Sequence, residues 1–253
     1  MHRFKLTIEY DGRFFCGWQR QKKAFSVQEA IEKALYSFCK QQQILVYGAG
    51  RTDAGVHALG QVAHVDLEKN FPPYRIMDAL NYYLRAYPVA ILKVESVSLD
   101  FHARFSAKLR KYQYQIINRR APLVLEAGRA WHVIKPLDAD KMHCAAQLLV
   151  GLHDFNSFRA LRCQAASSIR RLDSFTVVRH GDLITLEVQS RSFLHNQVRI
   201  MVGSLALIGE GKWTNSHITQ ALTLASRQAA GPTAPPDGLY FSQIVYEDNL
   251  NQK

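Results

Sequence analysis

The chain has 253 residues, 47% of them hydrophobic, which is enough for one large domain or two ordinary ones and too apolar for a disordered protein. Lysine and arginine outnumber aspartate and glutamate by 32 to 21, a formal net charge of +11. This excess favours a polyanionic partner, first of all nucleic acid, although a generally basic surface has the same composition. No signal-peptide-like region and no apolar run near the roughly 18 residues that span a bilayer is present. We therefore expect a soluble, cytoplasmic protein without a membrane partner.

The cysteines show no pattern of a metal or disulfide site. Cys16, Cys39, Cys144 and Cys163 lie far apart in the sequence and form no Cys-x-x-Cys pair. That spacing argues against zinc and against a small disulfide framework. The sequence therefore predicts a reduced protein without a bound metal.

The N-terminal half has the pattern of a strand, a helix, two strands, a helix and a strand. Apolar and polar residues alternate over 4–10, which predicts a half-buried strand. Ser26 and Glu29 match a capping box, and the apolar face that begins at Val27 predicts a helix packed on a sheet. We further expect strands at 44–47 and 61–67, a helix near 74–86 and a strand near 89–97. This order is typical of a ferredoxin-like α+β unit.

The C-terminal half repeats that pattern in outline, with insertions. Tyr112, Tyr114 and Ile116 alternate with polar residues in a predicted strand, and Asp138 is placed to cap a helix that runs to about residue 150. The other expected elements are a hairpin of strands 172–178 and 184–188, helices at 198–208 and 216–225, and a closing strand at 239–246.

Together these elements predict an α+β fold of two ferredoxin-like halves, residues 1–105 and residues 106–253. We expect the halves to join into an extended mixed sheet, mostly antiparallel, with helices on one face. A central cleft between them is the natural place for the partner nucleic acid.

The most unusual segment is 48–58, where glycines surround one arginine, one aspartate and one histidine. Glycine permits positive φ and close approach of another backbone, so such a loop can direct a short side chain into a cleft. Asp53 lies two residues from Arg51, and a neighbouring guanidinium favours an ionised carboxylate. The combination suits a nucleophile or a fixed electrostatic partner, whereas an aspartate in a glycine-rich loop also commonly forms a structural turn.

Six motifs follow one another along the chain. They are Y-D-G at 10–12 with F-C-G-W-Q at 15–19, G-A-G-R-T-D-A-G-V-H-A at 48–58, F-H-A-R-F-S-A at 101–107, K-Y-Q-Y at 111–114, S-F-L-H at 192–195 with Q-V-R-I-M-V-G at 197–203, and A-G-P-T-A-P-P at 230–236 with G-L at 238–239. In these motifs the chain resembles the bacterial tRNA pseudouridine synthases of the TruA family over nearly its whole length. One match alone would be weak, but six in the right order are specific.

The resemblance implies isomerisation of uridine to pseudouridine in tRNA, with no metal and no organic cofactor. The best-known substrates of the family are uridines of the anticodon stem-loop at tRNA positions 38, 39 and 40, and the resemblance also suggests a homodimer. The N1–C1′ bond must break, the uracil must turn, and C5 must then bond to C1′. A stacked base cannot do this, so the nucleotide must be flipped out of the RNA.

The resemblance assigns three residues to catalysis. Asp53 would attack the flipped nucleotide or abstract a sugar proton; attack at C1′, attack at C6 and a glycal route all stay open. Tyr112 would stack on the uracil and help remove the C5 proton, although its pattern also fits a tyrosine of the sheet core. Arg199 lies within an apolar helical stripe. A buried arginine there needs a counterion, for which we propose Asp53, and the alternative is an exposed arginine at the edge of the stripe.

Other residues are candidates for binding RNA. Arg51 would fill the gap left by the flipped base or bind phosphate, unless it pairs with Asp53 itself. His57 and His102 would contact RNA or hold their loops, without transferring protons. The basic residues that complete the set are Arg104, Lys22 and Lys23, and for the two lysines simple solvation is the alternative.

Two other functions fit parts of the sequence. A non-catalytic RNA-binding or RNA-chaperone protein would use the same basic cleft and would not need Asp53. A metal-dependent nuclease would need converging carboxylates or histidines, and the sequence has neither an acidic cluster nor an H-E-x-x-H pattern. Residues 48–53 also lack the last glycine of a dinucleotide-binding fingerprint, because Asp53 occupies that position.

Overall fold

The computed structural model describes residues 1–40 and 44–246, which group into two compact units. The first unit contains Met1–Lys108 and the segment that starts at Tyr240, and the second contains Leu109–Leu239. The sequence predicts a division between residues 105 and 106, which assigns the closing strand expected at 239–246 to the C-terminal half. The structure instead groups that strand, from Tyr240 onward, with the first unit.

The first unit is a mainly antiparallel sheet with two helices. Its long strands are β1 (His2–Tyr10), β3 (His57–Leu67) and β4 (Val89–Val97), and β1 pairs antiparallel with both of the others. The short β2 (Tyr47–Gly48) pairs with β3, and β10 (Leu239–Val245) runs parallel to the start of β3. The helices are α1 (Val27–Cys39) and α2 (Pro73–Leu84). Helix α2 contacts both α1 and β4. The predicted α+β class is confirmed.

Helix α1 begins where the sequence predicts. The Ser26 hydroxyl accepts a hydrogen bond from the Glu29 N–H (3.2 Å), which satisfies one of the unpaired donors of the first turn. The apolar residues at helical spacing are buried: Val27, Ala30, Ile31, Ala34 and Leu35. The capping residue therefore starts the helix and the apolar face is buried, both as the sequence predicts.

The strands around the glycine-rich segment differ from the prediction. Of the strand expected at 44–47 only Tyr47 is in a strand, the two-residue β2 that it forms with Gly48, and β3 begins at His57 rather than at residue 61. The early start of β3 comes from its partners, because Ala58 pairs with Tyr10 of β1 and with Phe241 of β10. These partners lie far away in the sequence, so no local pattern could reveal them. The loop itself is therefore 49–56, and His57 belongs to the strand.

The second unit has four antiparallel strands in the order β5 (Leu109–Asn118), β9 (Leu183–Ser190), β8 (Ile169–His180) and β7 (Gly151–Asp154). A short β6 (Trp131–Val133) pairs parallel with β5. The helices are α3 (Ala139–Gln147), α4 (Gln197–Gly209) and α5 (Asn215–Leu224). Asp138 caps α3 as predicted, since its carboxylate accepts from the Lys141 N–H (3.0 Å).

The expected hairpin is present and longer than predicted, because β8 continues to His180 and only Gly181 and Asp182 form the turn. Gly181 has φ 59°, which a glycine adopts without steric cost. The sequence did not predict β6 and β7, which are too short to show an alternating pattern. Within the described ranges, no helix is long and apolar enough to cross a membrane. All four cysteines are free thiols.

Candidate active site

The loop 49–56 leads into β3 and carries the half-buried Asp53. At its start, the Ala49 N–H donates to the carbonyl of Val62 in β3 (2.8 Å). The side-chain amide of the buried Gln61, also in β3, donates to the carbonyl of Gly50 (2.9 Å). The sheet therefore fixes the backbone on the N-terminal side of Asp53.

A tight turn fixes the backbone on the other side. The Val56 N–H donates to the carbonyl of Asp53 (3.2 Å), and Gly55 between them has φ 80°. Ala54 is exposed and Val56 is buried, so the chain turns back into the core directly after Asp53. The peptide of Asp53 is thus part of a tight turn. A fixed backbone is compatible with a structural role for Asp53, and it is also what a reacting side chain needs.

The first motif packs directly on this loop. The Trp18 N–H donates to the carbonyl of Thr52 (3.1 Å). Gly17 has φ 103°, and a Cβ at that position would overlap the carbonyl oxygen of Thr52. A Cβ at Gly12 would likewise overlap the carbonyl oxygen of Val56. Glycine at both positions is therefore required for the close approach of the two motifs.

Thr52 connects the Asp53 loop to β1 through its side chain. Its hydroxyl lies 2.8 Å from the hydroxyl of Tyr10, and both side chains are buried. Burial raises the pKa of the Tyr10 phenol, so the phenol keeps its proton. This hydroxyl pair is a second, side-chain anchor directly before Asp53.

Arg51 is exposed on the other side of Thr52. The pairing of Arg51 with its neighbour Asp53 stays a prediction. Lys22 and Lys23, two further candidates for RNA binding, are also exposed.

His57 is buried and lies between the first motif and β10. Its Nδ1 lies 3.2 Å from the N–H of Gly12 and 3.3 Å from Oδ1 of Asp11, and its ring stacks on Tyr240 with centroids 4.8 Å apart. This burial favours the loop-holding role of His57 over direct contact with RNA.

His102 organises the third motif. Its Nδ1 accepts hydrogen bonds from the N–H groups of Arg104 (3.1 Å) and Phe105 (3.4 Å). Burial, with the nearby charges of Arg3 and Arg104, holds the pKa of His102 below its usual value, which keeps this acceptor neutral. Arg104 and Phe105 are both exposed, and the guanidinium lies 5.7 Å from the centre of the ring. His102 therefore holds a turn that presents a cation and an aromatic ring.

Tyr112 lies in β5 of the second unit, opposite Val188 of β9. Its half-buried ring meets Phe193 edge-on, with centroids 5.1 Å apart and an interplanar angle of 86°. Tyr114, two residues along the same strand face, is buried, and its hydroxyl donates to the carbonyl of Pro235 (2.8 Å). Of the two tyrosines, Tyr114 is the core residue, and Tyr112 keeps part of its ring exposed.

Arg199 lies in α4 and is half-buried, between the two alternatives that the sequence allowed. Its Nε donates to the carbonyl of Ala234 (2.7 Å) and its Nη1 donates to Oδ1 of Asn196 (3.2 Å). The Ala234 N–H donates in return to the carbonyl of Arg199 (3.0 Å). The fifth and sixth motifs thus meet at this arginine.

Sequence reasoning missed the residues that hold the candidate side chains. These residues lie in or beside the six motifs: Thr52, Tyr10, Asn196 and Ala234. Thr52 and Tyr10 are partners from different motifs, Ala234 binds Arg199 through its backbone carbonyl, and Asn196 binds Arg199 rather than the helix backbone. Within residues 1–40 and 44–246, no three His, Cys, Asp or Glu side chains are grouped so that they could hold a metal ion.

Residues 6–106 and 145–247, well over half of the chain, match the model of the family described as tRNA pseudouridine synthase. The chain belongs to this family. It is 55% identical over 246 residues to the tRNA pseudouridine synthase A of Rhodopseudomonas palustris strain HaA2, a match that covers 97% of this chain and 100% of that protein. It is 56% identical over 248 residues to the tRNA pseudouridine synthase A of Methylocella silvestris, covering 98% and 100%. The family resemblance inferred from the six motifs is confirmed.

A weaker likeness exists to a solved structure, the Cbf5-Nop10-Gar1 complex, with 9% identity and a TM-score of 0.36. It covers 94% of this chain and 48% of the matched chain, so this chain spans about half of that length. A TM-score this low supports no conclusion about the site.

Proposed function

We propose that this chain isomerises uridine to pseudouridine in the anticodon stem-loop of tRNA, with Asp53 as the catalytic carboxylate. Membership of the tRNA pseudouridine synthase family supplies the reaction class. The observation that carries the proposal for Asp53 is its loop. Bonds to β3, to β1 and to the first motif fix the backbone before Asp53, and the Val56 N–H, which donates to the carbonyl of Asp53, fixes the turn after it.

The reaction needs no net transfer of atoms between substrate and protein. The N1–C1′ bond breaks, the C5–C1′ bond forms, C5 loses its proton, and N1 of the released uracil edge gains one. Asp53 assists either as a nucleophile, at C1′ or at C6, or as a base that takes a sugar proton in the glycal route. An ordered loop lowers the entropic cost of each of these steps, because the carboxylate does not have to be positioned at the moment of reaction.

Tyr112 and Arg199 complete the proposed catalytic set. The ring of Tyr112 is supported at its edge by Phe193, which suits a ring whose face stacks on a flipped uracil. The guanidinium of Arg199 is held by Asn196 and Ala234, which suits a fixed partner for the Asp53 carboxylate.

Exposed basic residues would supply most of the affinity for RNA. Arg51, Lys22, Lys23 and Arg104 are exposed in the first unit, and the chain carries a formal net charge of +11. Contacts to phosphate release counterions, so binding of tRNA should weaken steeply with salt. The free-energy cost of flipping the nucleotide would be offset by these contacts, together with stacking of bases on exposed rings such as Phe105.

We also propose that the chain acts in the cytoplasm and as a homodimer. A stem-loop substrate is much larger than one nucleotide, so one subunit would hold the body of the tRNA while the other reacts. Light scattering at working concentration tests this assembly, and a monomeric mass would contradict it.

The activity is tested with tRNA transcripts that carry uridine at positions 38, 39 and 40, with matched transcripts that carry cytidine there as controls. Wild-type protein is incubated with each transcript in the presence of EDTA, and pseudouridine is mapped by carbodiimide labelling and primer extension. We expect stops at the three positions in the uridine transcripts alone. Pseudouridine at other positions would contradict the proposed stem-loop specificity.

The same experiment separates the two rival functions. Tight binding of tRNA without any pseudouridine would favour the non-catalytic RNA-binding protein or RNA chaperone. RNA cleavage in a parallel incubation with Mg²⁺ in place of EDTA, absent when EDTA is present, would favour the metal-dependent nuclease.

A further inference from the structure

Asn196 has an unusual conformation and an unusual partner. It lies at the N-cap position of α4 with φ 62°, in the left-handed region that asparagine tolerates better than most residues. An asparagine at this position normally accepts a hydrogen bond from an N–H of the first helical turn. Here its side chain makes no capping bond, and its Oδ1 accepts from Nη1 of Arg199 instead (3.2 Å).

Gln197 stabilises the turn that places Asn196. Its side-chain oxygen accepts from the N–H of Leu194 (2.8 Å), and the Gln197 side chain is fully buried. This bond links Leu194 to Gln197, the first residue of α4, across the turn that contains Asn196. The backbone on both sides of Asn196 is therefore held by a buried side chain.

The opposite edge of the guanidinium is held by the sixth motif. Nε of Arg199 donates to the carbonyl of Ala234, a residue that is 2% exposed. That segment is locked on α4, because the Gly231 N–H donates to the Ser204 hydroxyl (2.9 Å), and the Ser204 hydroxyl donates to the carbonyl of Ile200 (2.8 Å). A Cβ at Gly203 would overlap the carbonyl oxygen of Pro232, so helix and segment are in direct backbone contact.

We infer that Asn196 and the Ala234 carbonyl form a clamp that fixes the plane of the Arg199 guanidinium for the reaction. A guanidinium is planar and rigid, so two hydrogen bonds to separate nitrogen atoms determine the directions of all its N–H groups. Asn196 is then a positioning residue that acts through Arg199. This inference rests on the proposed function, in which Arg199 partners the reacting carboxylate.

Two substitutions of Asn196 separate the side chain from the backbone. Asn196→Gly keeps the positive φ and removes the acceptor, whereas Asn196→Asp keeps an acceptor oxygen at the same position. Ala225→Gly is the control, because Ala225 also has a positive φ (47°) at a helix cap of the second unit, the C-cap of α5, and lies outside the proposed site. All variants are compared with wild type in the single-turnover rate of pseudouridine formation, in KM for tRNA and in melting temperature.

We expect Asn196→Gly to lower the single-turnover rate about tenfold, the effect of losing one hydrogen bond to a charged group. KM and melting temperature should change little, Asn196→Asp should keep most of the rate, and Ala225→Gly should react like wild type. In an Arg199→Lys background, Asn196→Gly should cause no further loss, since the clamped group is already gone.

A wild-type rate for Asn196→Gly would overturn the clamp, and so would an undiminished effect of Asn196→Gly in the Arg199→Lys background. Failure of the proposed function looks different. In that case the wild-type protein forms no pseudouridine, or Arg199→Lys alone reacts at the wild-type rate.

Discussion

The hydroxyl groups of Tyr10 and Thr52 lie 2.8 Å apart in the core of the first unit, and this contact joins the end of β1 to the residue that precedes Asp53. The main chain of Thr52 is held at the same time by the Trp18 N–H. Two independent bonds therefore converge on the residue beside the proposed catalytic carboxylate.

Removal of the Thr52 hydroxyl should slow the reaction. Thr52→Val keeps the shape of the side chain and removes one of two hydrogen-bond partners of the buried Tyr10 hydroxyl, the other being the Gln61 side chain. The loss should cost about 0.5–1.5 kcal/mol of unfolding free energy. Because the Asp53 loop loses an anchor, we also expect a lower kcat with a smaller change in KM. Denaturant unfolding and steady-state kinetics measure the two effects.

Thr52→Ser is the control for this substitution, since it keeps the hydroxyl and loses only a methyl group. Its kcat should stay close to that of wild type. If Thr52→Val and Thr52→Ser lose the same activity, the methyl group rather than the hydroxyl pair is what matters.

Gly17→Ala should destabilise the protein and impair the reaction. Its new Cβ would overlap the Thr52 carbonyl oxygen at a backbone φ of 103°, which we expect to cost about 2–5 kcal/mol. Gly181→Ala is matched for positive φ (59°), but its Cβ would meet no atom within 4 Å. That control should cost about 1 kcal/mol and keep full activity. Equal losses of stability in thermal unfolding would contradict the close approach of the first two motifs.

The buried His64 in β3 should make the protein less stable in acid. Burial, with the charges of Arg3 and His102 nearby, lowers the pKa of His64 from 6.5 to about 4, while the Ala103 N–H donates to its Nδ1 (3.2 Å). Between these two pH values the unfolded chain binds a proton that the folded chain does not, so the unfolding free energy falls as pH falls. The expected slope is about 1.4 kcal/mol per pH unit.

The measurement is denaturant unfolding of wild type and His64→Gln at pH 7 and pH 5. Glutamine can still accept from the Ala103 N–H and does not titrate, so the variant should lose less stability between the two pH values. An identical pH dependence in both proteins would show that another group is responsible.

Arg51→Ala distinguishes the two proposed roles of that residue in RNA binding. If the guanidinium binds phosphate, the substitution should reduce the slope of log K against log salt by about 1 and weaken binding evenly among sequences. If it fills the gap left by the flipped base, the rate of the reaction should fall while the salt slope stays nearly constant. Lys23→Ala, at another exposed cation, provides the comparison for a phosphate contact alone.

Local patterns predicted the elements that local interactions determine. The N-cap at Ser26 and the apolar face of α1 are separated by a few residues, and both are where the sequence placed them. The start of β3 at His57 was missed because its partners, Tyr10 and Tyr240, come from the two ends of the chain. The same strand pairing explains why β10 groups with the first unit.

The candidate site follows the same division. The motifs identified Asp53, Tyr112 and Arg199 as candidates, and these assignments stay predictions. The surrounding contacts were not foreseeable, because an asparagine at an N-cap is expected to bind the helix backbone, whereas Asn196 binds Arg199. Likewise, nothing near Thr52 in the sequence indicates that its hydroxyl meets Tyr10.

The most direct test of the account compares wild type with Asp53→Asn in release of tritium from tRNA labelled at C5 of uridine, with tRNA binding measured in parallel. Formation of the C5–C1′ bond must release that label. We predict release by wild type and none by Asp53→Asn, with binding of tRNA retained in both proteins. Release by both proteins at similar rates would contradict the central claim, because the reaction would then proceed without the Asp53 carboxylate.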